Sequence, residues 1–162
     1  MFSFPTYVTP PRPVPSPKPL PPARAAYRAF VPITTRWHDN DVYGHVNNVV
    51  YYSFFDTAVN RWLIDAGLLD VETAETIGLV VRTECDYFAP LAFPQSVEAG
   101  IAVEHVGTSS VTYRVGIFAE GDETARAAGR FTHVYVGRES RRPAPLPARW
   151  RTALAALAVD DA

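Results

Sequence analysis

Residues 36–62 read RWHDNDVYGHVNNVVYYSFFDTAVNRW. From residue 46 the apolar side chains recur at helical spacing. Val50, Tyr51, Phe54, Phe55, Ala58, Trp62 and Leu63 share one broad face and Gly67 closes the run, so a helix is predicted over residues 46–66. Just upstream, Asp39 and Asp41 stand before Gly44 on a loop leaving the apolar-polar run 27–37, which reads as a first strand. Two carboxylates thus fall beside the unpaired amide N–H groups of a helix mouth. That pairing can cleave an activated carbonyl, because a carboxylate attacks or directs water while main-chain donors hold the developing oxyanion.

A helix face that wide has to be wrapped. Strands are predicted over residues 79–88, 96–105, 110–119 and 124–136, on period-two runs such as Val97, Ala99, Ile101, Val103 and Val111, Tyr113, Val115, Ile117. Gly107 and the group Glu120-Gly121-Asp122 mark tight connections, so the later strands are expected to form an antiparallel meander. One helix against one curved sheet is an α+β sandwich. Residues 148–162 read as a short terminal helix, over 148–159, and a tail. There is no internal repeat.

At 162 residues, 48% hydrophobic and 12% aromatic, the chain can bury one core without a second domain. Residues 1–26 are different: the first 22 are too rich in proline for a packed helix or central strand, and an extended or disordered arm is expected there. Pro10 to Pro13 formally makes a PxxP pattern, of a kind that arises freely in such arms. A net charge of -2 argues against a nucleic-acid partner, which requires a basic stripe. No apolar run approaches the ~20 residues of a membrane span. The single Cys85 makes no internal disulfide, which fits a reducing, cytoplasmic setting, and without an activating neighbour it reads as a small buried hydrophobe.

The central stretch resembles the hotdog-fold acyl-CoA thioesterases of the 4-hydroxybenzoyl-CoA thioesterase type, through Asp39, Asp41, Gly44, His45, Val46, Asn47 and Asn48. The likeness continues through Asp86-Tyr87-Phe88-Ala89-Pro90, Gly107-Thr108-Ser109-Ser110 and Arg142-Pro143-Ala144-Pro145-Leu146-Pro147, covering about residues 28–147. It implies a hotdog, an antiparallel sheet wrapped around a central helix, for the domain spanning residues 27–147. It also implies an acyl-CoA substrate, no cofactor beyond the coenzyme A of that substrate, and a homodimer or homotetramer with sites at the subunit boundary.

The resemblance assigns residue roles too. Asp41 matches the catalytic carboxylate, as nucleophile or as general base for water, and the main-chain amide of Asn48 matches a donor to the thioester oxygen. Asp39 matches the first aspartate of the motif, with Gly44 and Asn47 supporting the loop. Residue type alone leaves other duties open: an Asp or Asn ahead of a helix also serves as a cap or turn residue, and His45 can polarise, orient or brace. Tyr51 and Tyr52, in the first turns of the helix, are candidates to line the acyl pocket. Arg138, Arg141 and Arg142 are candidates for the nucleotide phosphates, alongside the plainer reading of solvated surface charge.

Rival chemistries fail on spacing. Residues 39–44 imitate the start of a calcium loop, but its twelfth position is Val50 instead of a glutamate. His38, Asp39, Asp41 and His45 have no recognised metal-ligand spacing, so no metal is expected. No Gly-x-Ser-x-Gly elbow is present, and hotdog dehydratase signatures do not match. The remaining alternative of a different class is a noncatalytic hotdog module that binds acyl-CoA or acts as a scaffold.

Overall fold

The computed structural model describes residues 19–159. Its main elements are β1 (Ala29–Ile33), α1 (Val50–Asp65), β2 (Thr76–Tyr87), β3 (Val97–Val106), β4 (Ser110–Ala119), β5 (Ala127–Gly137) and α2 (Ala148–Ala155), with single 3-10 turns at Arg24–Ala26 and Trp37–Asp39. The five strands make one antiparallel sheet in the order β1-β3-β4-β5-β2. α1 packs across β1, β2, β3 and β4. This is the hotdog arrangement.

The predicted helical face holds: Tyr51, Phe54, Phe55, Ala58, Val59 and Leu63 are buried, while Val50 and Trp62 are half-buried against the same core. They meet Val111, Tyr113, Val115 and Ile117 of β4 and Phe131 and Tyr135 of β5, and each large side chain so buried stabilises the fold by about 2 kcal/mol. The helix begins at Val50, four residues later than the periodicity predicts. Val46 is held in a bridge with Asn40 and donates its N–H to Leu91 O at 2.7 Å, and the Asn47 side chain accepts from Val49 N, so residues 46–49 are committed elsewhere. At the other end Gly67, with φ 65, lets Leu68 N–H return to Leu63 O at 2.9 Å.

β3, β4 and β5 form the expected meander, but β2 does not lie beside β3. It crosses to the far edge and pairs with β5, from Thr76↔Gly137 to Tyr87↔Ala127. The first strand is shorter than predicted, because Trp37–Asp39 turns into the loop that carries the aspartates.

The opposite face of the sheet is also covered. Tyr27 lies over Gly100 and Gly116, which face each other across β3 and β4; a Cβ at Gly116 would sit 2.5 Å from the Tyr27 ring and hydroxyl. Phe118 meets the same ring edge-on at 5.5 Å, Arg24 stacks on Phe30, and its guanidinium pairs with Glu98. The end of the proline-rich stretch is therefore tied down: Ala125 N–H donates to Pro22 O and Arg24 N–H to Glu123 O, at 2.9 and 2.8 Å. Most of the predicted arm, including Pro10 to Pro13, lies outside the described residues. Among those described, no helix is long and apolar enough to cross a membrane.

Candidate active site

The loop between β1 and α1 is built around two aspartates with different surroundings. Asp39 is fully buried, and Arg36 surrounds it: Arg36 N donates to Oδ2 at 2.7 Å, and the guanidinium donates twice to Oδ1, at 2.9 and 3.1 Å. Asp39 O in turn accepts Asn47 N–H at 2.8 Å, which seats the approach to α1. A buried, fully paired carboxylate of this kind organises a loop.

Asp41 is half-buried. Its Oδ1 accepts Tyr43 N–H at 2.8 Å and, at 3.4 Å, the longer contact from His45 N–H. The backbone closes the same turn, with Asp41 N–H to His45 O at 2.8 Å and Gly44 N–H to Asp41 O at 3.1 Å. Gly44 sits at φ 80, a conformation glycine adopts without penalty. Oδ2 takes no donor among the described residues, so the carboxylate is anchored through one oxygen only.

That carboxylate lines a cavity of about 360 Å³ together with His45, Val46, Asn48, Tyr51, Tyr87, Phe88, Ala89 and Pro90. The structure thus brings Asp41, His45, Asn48 and Tyr51 together. The Asn48 N–H has no acceptor among the described residues, while Asn48 O accepts the Tyr87 hydroxyl at 2.9 Å. The mouth of α1 adds the positive end of its dipole. Asn47 stays out of the cavity and closes a turn just ahead of the helix, whose N-cap is Val49, with Oδ1 accepting Val49 N–H at 3.2 Å and O accepting Val50 N–H at 2.9 Å. The His45 ring is exposed and makes no hydrogen bond among the described residues.

Tyr51 is the buried floor of the cavity, and burial pushes its phenol up to about 12. Tyr52 does not line it. The Tyr52 ring meets Phe55 edge-on at 6.1 Å and packs against the core. Cys85, next to Tyr87 on the same face of β2, is half-buried, and desolvation pushes its thiol up to about 11, so it stays protonated.

The three arginines lie elsewhere in the chain. The Arg138 guanidinium donates to Ala74 O at 2.7 Å and Val71 O at 2.8 Å, beside a second cavity lined by Glu72, Glu75, Glu139 and Ser140. Arg141 and Arg142 are exposed on the turn after β5, where Arg141 sits at φ 55. None of the three lines the Asp41 cavity.

The cavity's other wall, Tyr87 to Pro90, carries no role in the sequence reading, although Asp86-Tyr87-Phe88-Ala89-Pro90 is part of the resemblance. Alternation along β2 does not reveal it, because a bulge between Val80 and Arg82 shifts the register and only beyond it do Thr83, Cys85 and Tyr87 share the face that meets Tyr51.

A family model described as the thioesterase-like superfamily matches residues 35–154, which takes in the aspartate loop, the helix and the whole sheet from β2 to β5. The chain belongs to the thioesterase-like superfamily. It is similar to the PA5185 protein of Pseudomonas aeruginosa strain PAO1, at 58% identity and a TM-score of 0.83 over 86% of this chain and 97% of that one. It is also similar to a thioesterase of Thermus thermophilus, solved with coenzyme A and zinc, at 32% identity and a TM-score of 0.67 over 82% of this chain and 95% of that one. A 1,4-dihydroxy-2-naphthoyl-CoA thioesterase from Synechocystis shares the fold at 19% identity, with a TM-score of 0.69 over 78% of this chain and 94% of that one. The stretch matched to the thioesterase-like superfamily takes in every residue that lines the Asp41 cavity.

Proposed function

We propose that this superfamily member hydrolyses an acyl-CoA to the free acid and coenzyme A. The observation that carries this reading is the Asp41 carboxylate, anchored through one oxygen, in the same cavity as Asn48 at the mouth of α1, whose N–H has no acceptor among the described residues. Asp41 either attacks the thioester carbon, giving an anhydride that water then opens, or takes the proton of a water that attacks it. Both routes put negative charge on the carbonyl oxygen, which the Asn48 N–H and the helix end favour, and both expel the coenzyme A thiolate. His45 lies beside the leaving sulfur or the attacking water, and Tyr51 receives the acyl group. Coenzyme A arrives with the substrate and no other cofactor enters the chemistry. The family resemblance supports an enzyme over a noncatalytic module.

The unit that acts is a homodimer or a higher assembly of dimers, paired along β2. That strand is an edge of the sheet, 12 residues long, and it exposes Val80 and Val81 at 47% and 59%. A long edge with exposed valines pairs with a second copy of itself. Antiparallel pairing about a two-fold axis sets the Tyr87 end of one copy beside the Thr76 end of the other. At ~3.3 Å per residue β2 spans roughly 40 Å. Arg138, next to Glu75, is therefore remote from Asp41 in its own chain and comes near it in the pair. The second copy's Arg138, Arg141 and Arg142 then face the coenzyme A phosphates.

Release of free thiol from a panel of aromatic and straight-chain acyl-CoAs tests the reading. Hydrolysis of at least one substrate, with the rate saturating in acyl-CoA, supports it. Saturable binding of acyl-CoA without thiol release would leave the noncatalytic module in its place.

A further inference from the structure

Tyr87 occupies an unusual position for a strand residue. Its ring stands edge-on to Tyr51 at 5.1 Å and lines the Asp41 cavity, and its hydroxyl reaches across to the carbonyl of Asn48, 39 residues earlier in the chain, at 2.9 Å. We propose that Tyr87 is a positioning residue for the hydrolysis above: by donating to Asn48 O it pins the carbonyl side of Asn48 to the sheet, while Asn47 O with Val50 N–H pins the peptide on its other side, so that residue 48 is held at both ends and its N–H is presented to the cavity. The inference rests on the proposed thioesterase activity and adds to it a residue that acts through the main chain.

The geometry explains why such a clamp is needed. Asn48 lies before the first residue of α1, outside the regular ladder of helix hydrogen bonds, on an exposed stretch next to the solvent-facing Gly44 and His45. Asn47 is held on both sides, by Asp39 O at its N–H and by Val49 N–H at its Oδ1. The peptide that carries the Asn48 N–H is held through Asn47 O, which accepts Val50 N–H. The next peptide is held at Val49 N–H by Asn47 Oδ1 and at Asn48 O by the Tyr87 hydroxyl, among the described residues the one contact that ties it to the sheet. An oxyanion donor gives its full effect only when its direction is set before the charge develops, since reorienting a loose peptide costs free energy at the moment of reaction. Tyr87 is well suited to hold it. The phenol sits on a sheet strand, its ring is braced by Tyr51, and burial together with Cys85 and Tyr52 pushes its pKa upward, so the hydroxyl keeps its proton to donate. Asp41 needs no such help, because its own loop amides hold it.

A positioning role predicts a particular kinetic signature. Tyr87→Phe keeps the ring and its packing on Tyr51 and removes only the donated hydrogen bond. With whichever acyl-CoA of the panel the full-length parent cleaves fastest, Tyr87→Phe is expected to lower kcat about tenfold and to change KM less than about twofold, since the lost interaction matters chiefly in the transition state. Replacing Tyr87 by 4-aminophenylalanine, which puts an N–H donor at the same place, is expected to restore most of kcat. A folded Tyr87→Phe protein with parental kcat overturns the inference while leaving the thioesterase reading intact. So does a folded 4-aminophenylalanine protein as slow as the phenylalanine one, and that arm decides the matter if Tyr87→Phe does not fold. A parent that cleaves no acyl-CoA of the panel overturns both.

Discussion

The Arg126 guanidinium donates to the Pro90 carbonyl at 2.9 Å, and Asp122 grips the same guanidinium from behind at 2.6 and 3.2 Å. Arg126 O also accepts the N–H groups of Phe88 and Ala89, at 2.8 and 3.0 Å. The wall of the cavity opposite Asp41 is therefore hung on one residue just ahead of β5. Arg126→Ala keeps the main-chain bonds but frees Pro90 and leaves Asp122 without its partner. Thermal unfolding is expected to show a loss of about 1–2 kcal/mol, the scale of a charge-assisted hydrogen bond, and kcat/KM is expected to fall. An unchanged melting temperature with unchanged kcat/KM would show that the wall holds itself.

The slot that takes Tyr27 gives a stability prediction on the other face of the sheet. A methyl group at Gly116 meets Tyr27 at 2.5 Å, too close to be absorbed without moving the ring. Gly116→Ala is expected to destabilise the fold by about 1–3 kcal/mol, the range for overpacking, and to leave kcat at the parental level, because the Asp41 cavity is on the far side of the sheet. A chemical denaturation curve that superimposes on the parent's would contradict this.

His133 supplies a pH dependence. It is buried between Tyr113, Phe131 and Tyr135, its Nδ1 lies 3.4 Å from the Tyr135 hydroxyl, and its Nε2 has no partner among the described residues. Burial lowers its pKa from 6.5 to about 4. The unfolded chain therefore binds a proton between those values that the folded chain refuses. Stability from this residue is complete above pH 6.5 and is lost as pH falls toward 4, by about 3 kcal/mol in all. His133→Leu is expected to flatten that part of the stability curve, measured by urea unfolding at about pH 7, 6, 5 and 4. An equally steep slope in the variant would place the acid sensitivity elsewhere.

Much of this architecture is legible in the chain. The α1 face is readable because a 3.6-residue period survives over about four turns, and β3 to β5 because alternation and short turns name both the strands and their neighbours. The position of β2 at the far edge is not readable, since period two marks a strand without saying what it pairs with. The start of α1 is hidden for a local reason: Asn47 and Val46 make competing hydrogen bonds that hydrophobic spacing does not report. Asp41 is singled out by motif and position together. Tyr87 escapes because its contact with Asn48 is made across the fold, and Tyr52 does not join Tyr51 in lining the Asp41 cavity because adjacent helical residues point in different directions.

The assembly has its own test. If β2 pairs with a second copy, light scattering is expected to give a dimer or a multiple of one, and Val80→Lys with Val81→Lys is expected to reduce it toward the monomer with loss of activity. In the paired protein, changing Arg138, Arg141 and Arg142 together to Ala is expected to raise KM for acyl-CoA with little change in kcat, and to narrow the preference over an acyl-pantetheine thioester that lacks the nucleotide. A catalytically active monomer at working concentration contradicts the pairing, and an undiminished preference for the whole coenzyme contradicts the arginine assignment.

The most direct test of the chemistry is the turnover of Asp41→Asn. Asparagine keeps an oxygen to accept Tyr43 N–H, so the loop and the melting temperature should be retained, whereas the group that attacks or takes a proton is gone. The expected result is a folded protein that binds its acyl-CoA and turns it over about a hundredfold more slowly or worse, with Asp39→Asn losing less activity and more loop order. A folded Asp41→Asn protein with near-parental kcat would contradict the assignment of Asp41 and the mechanism built on it.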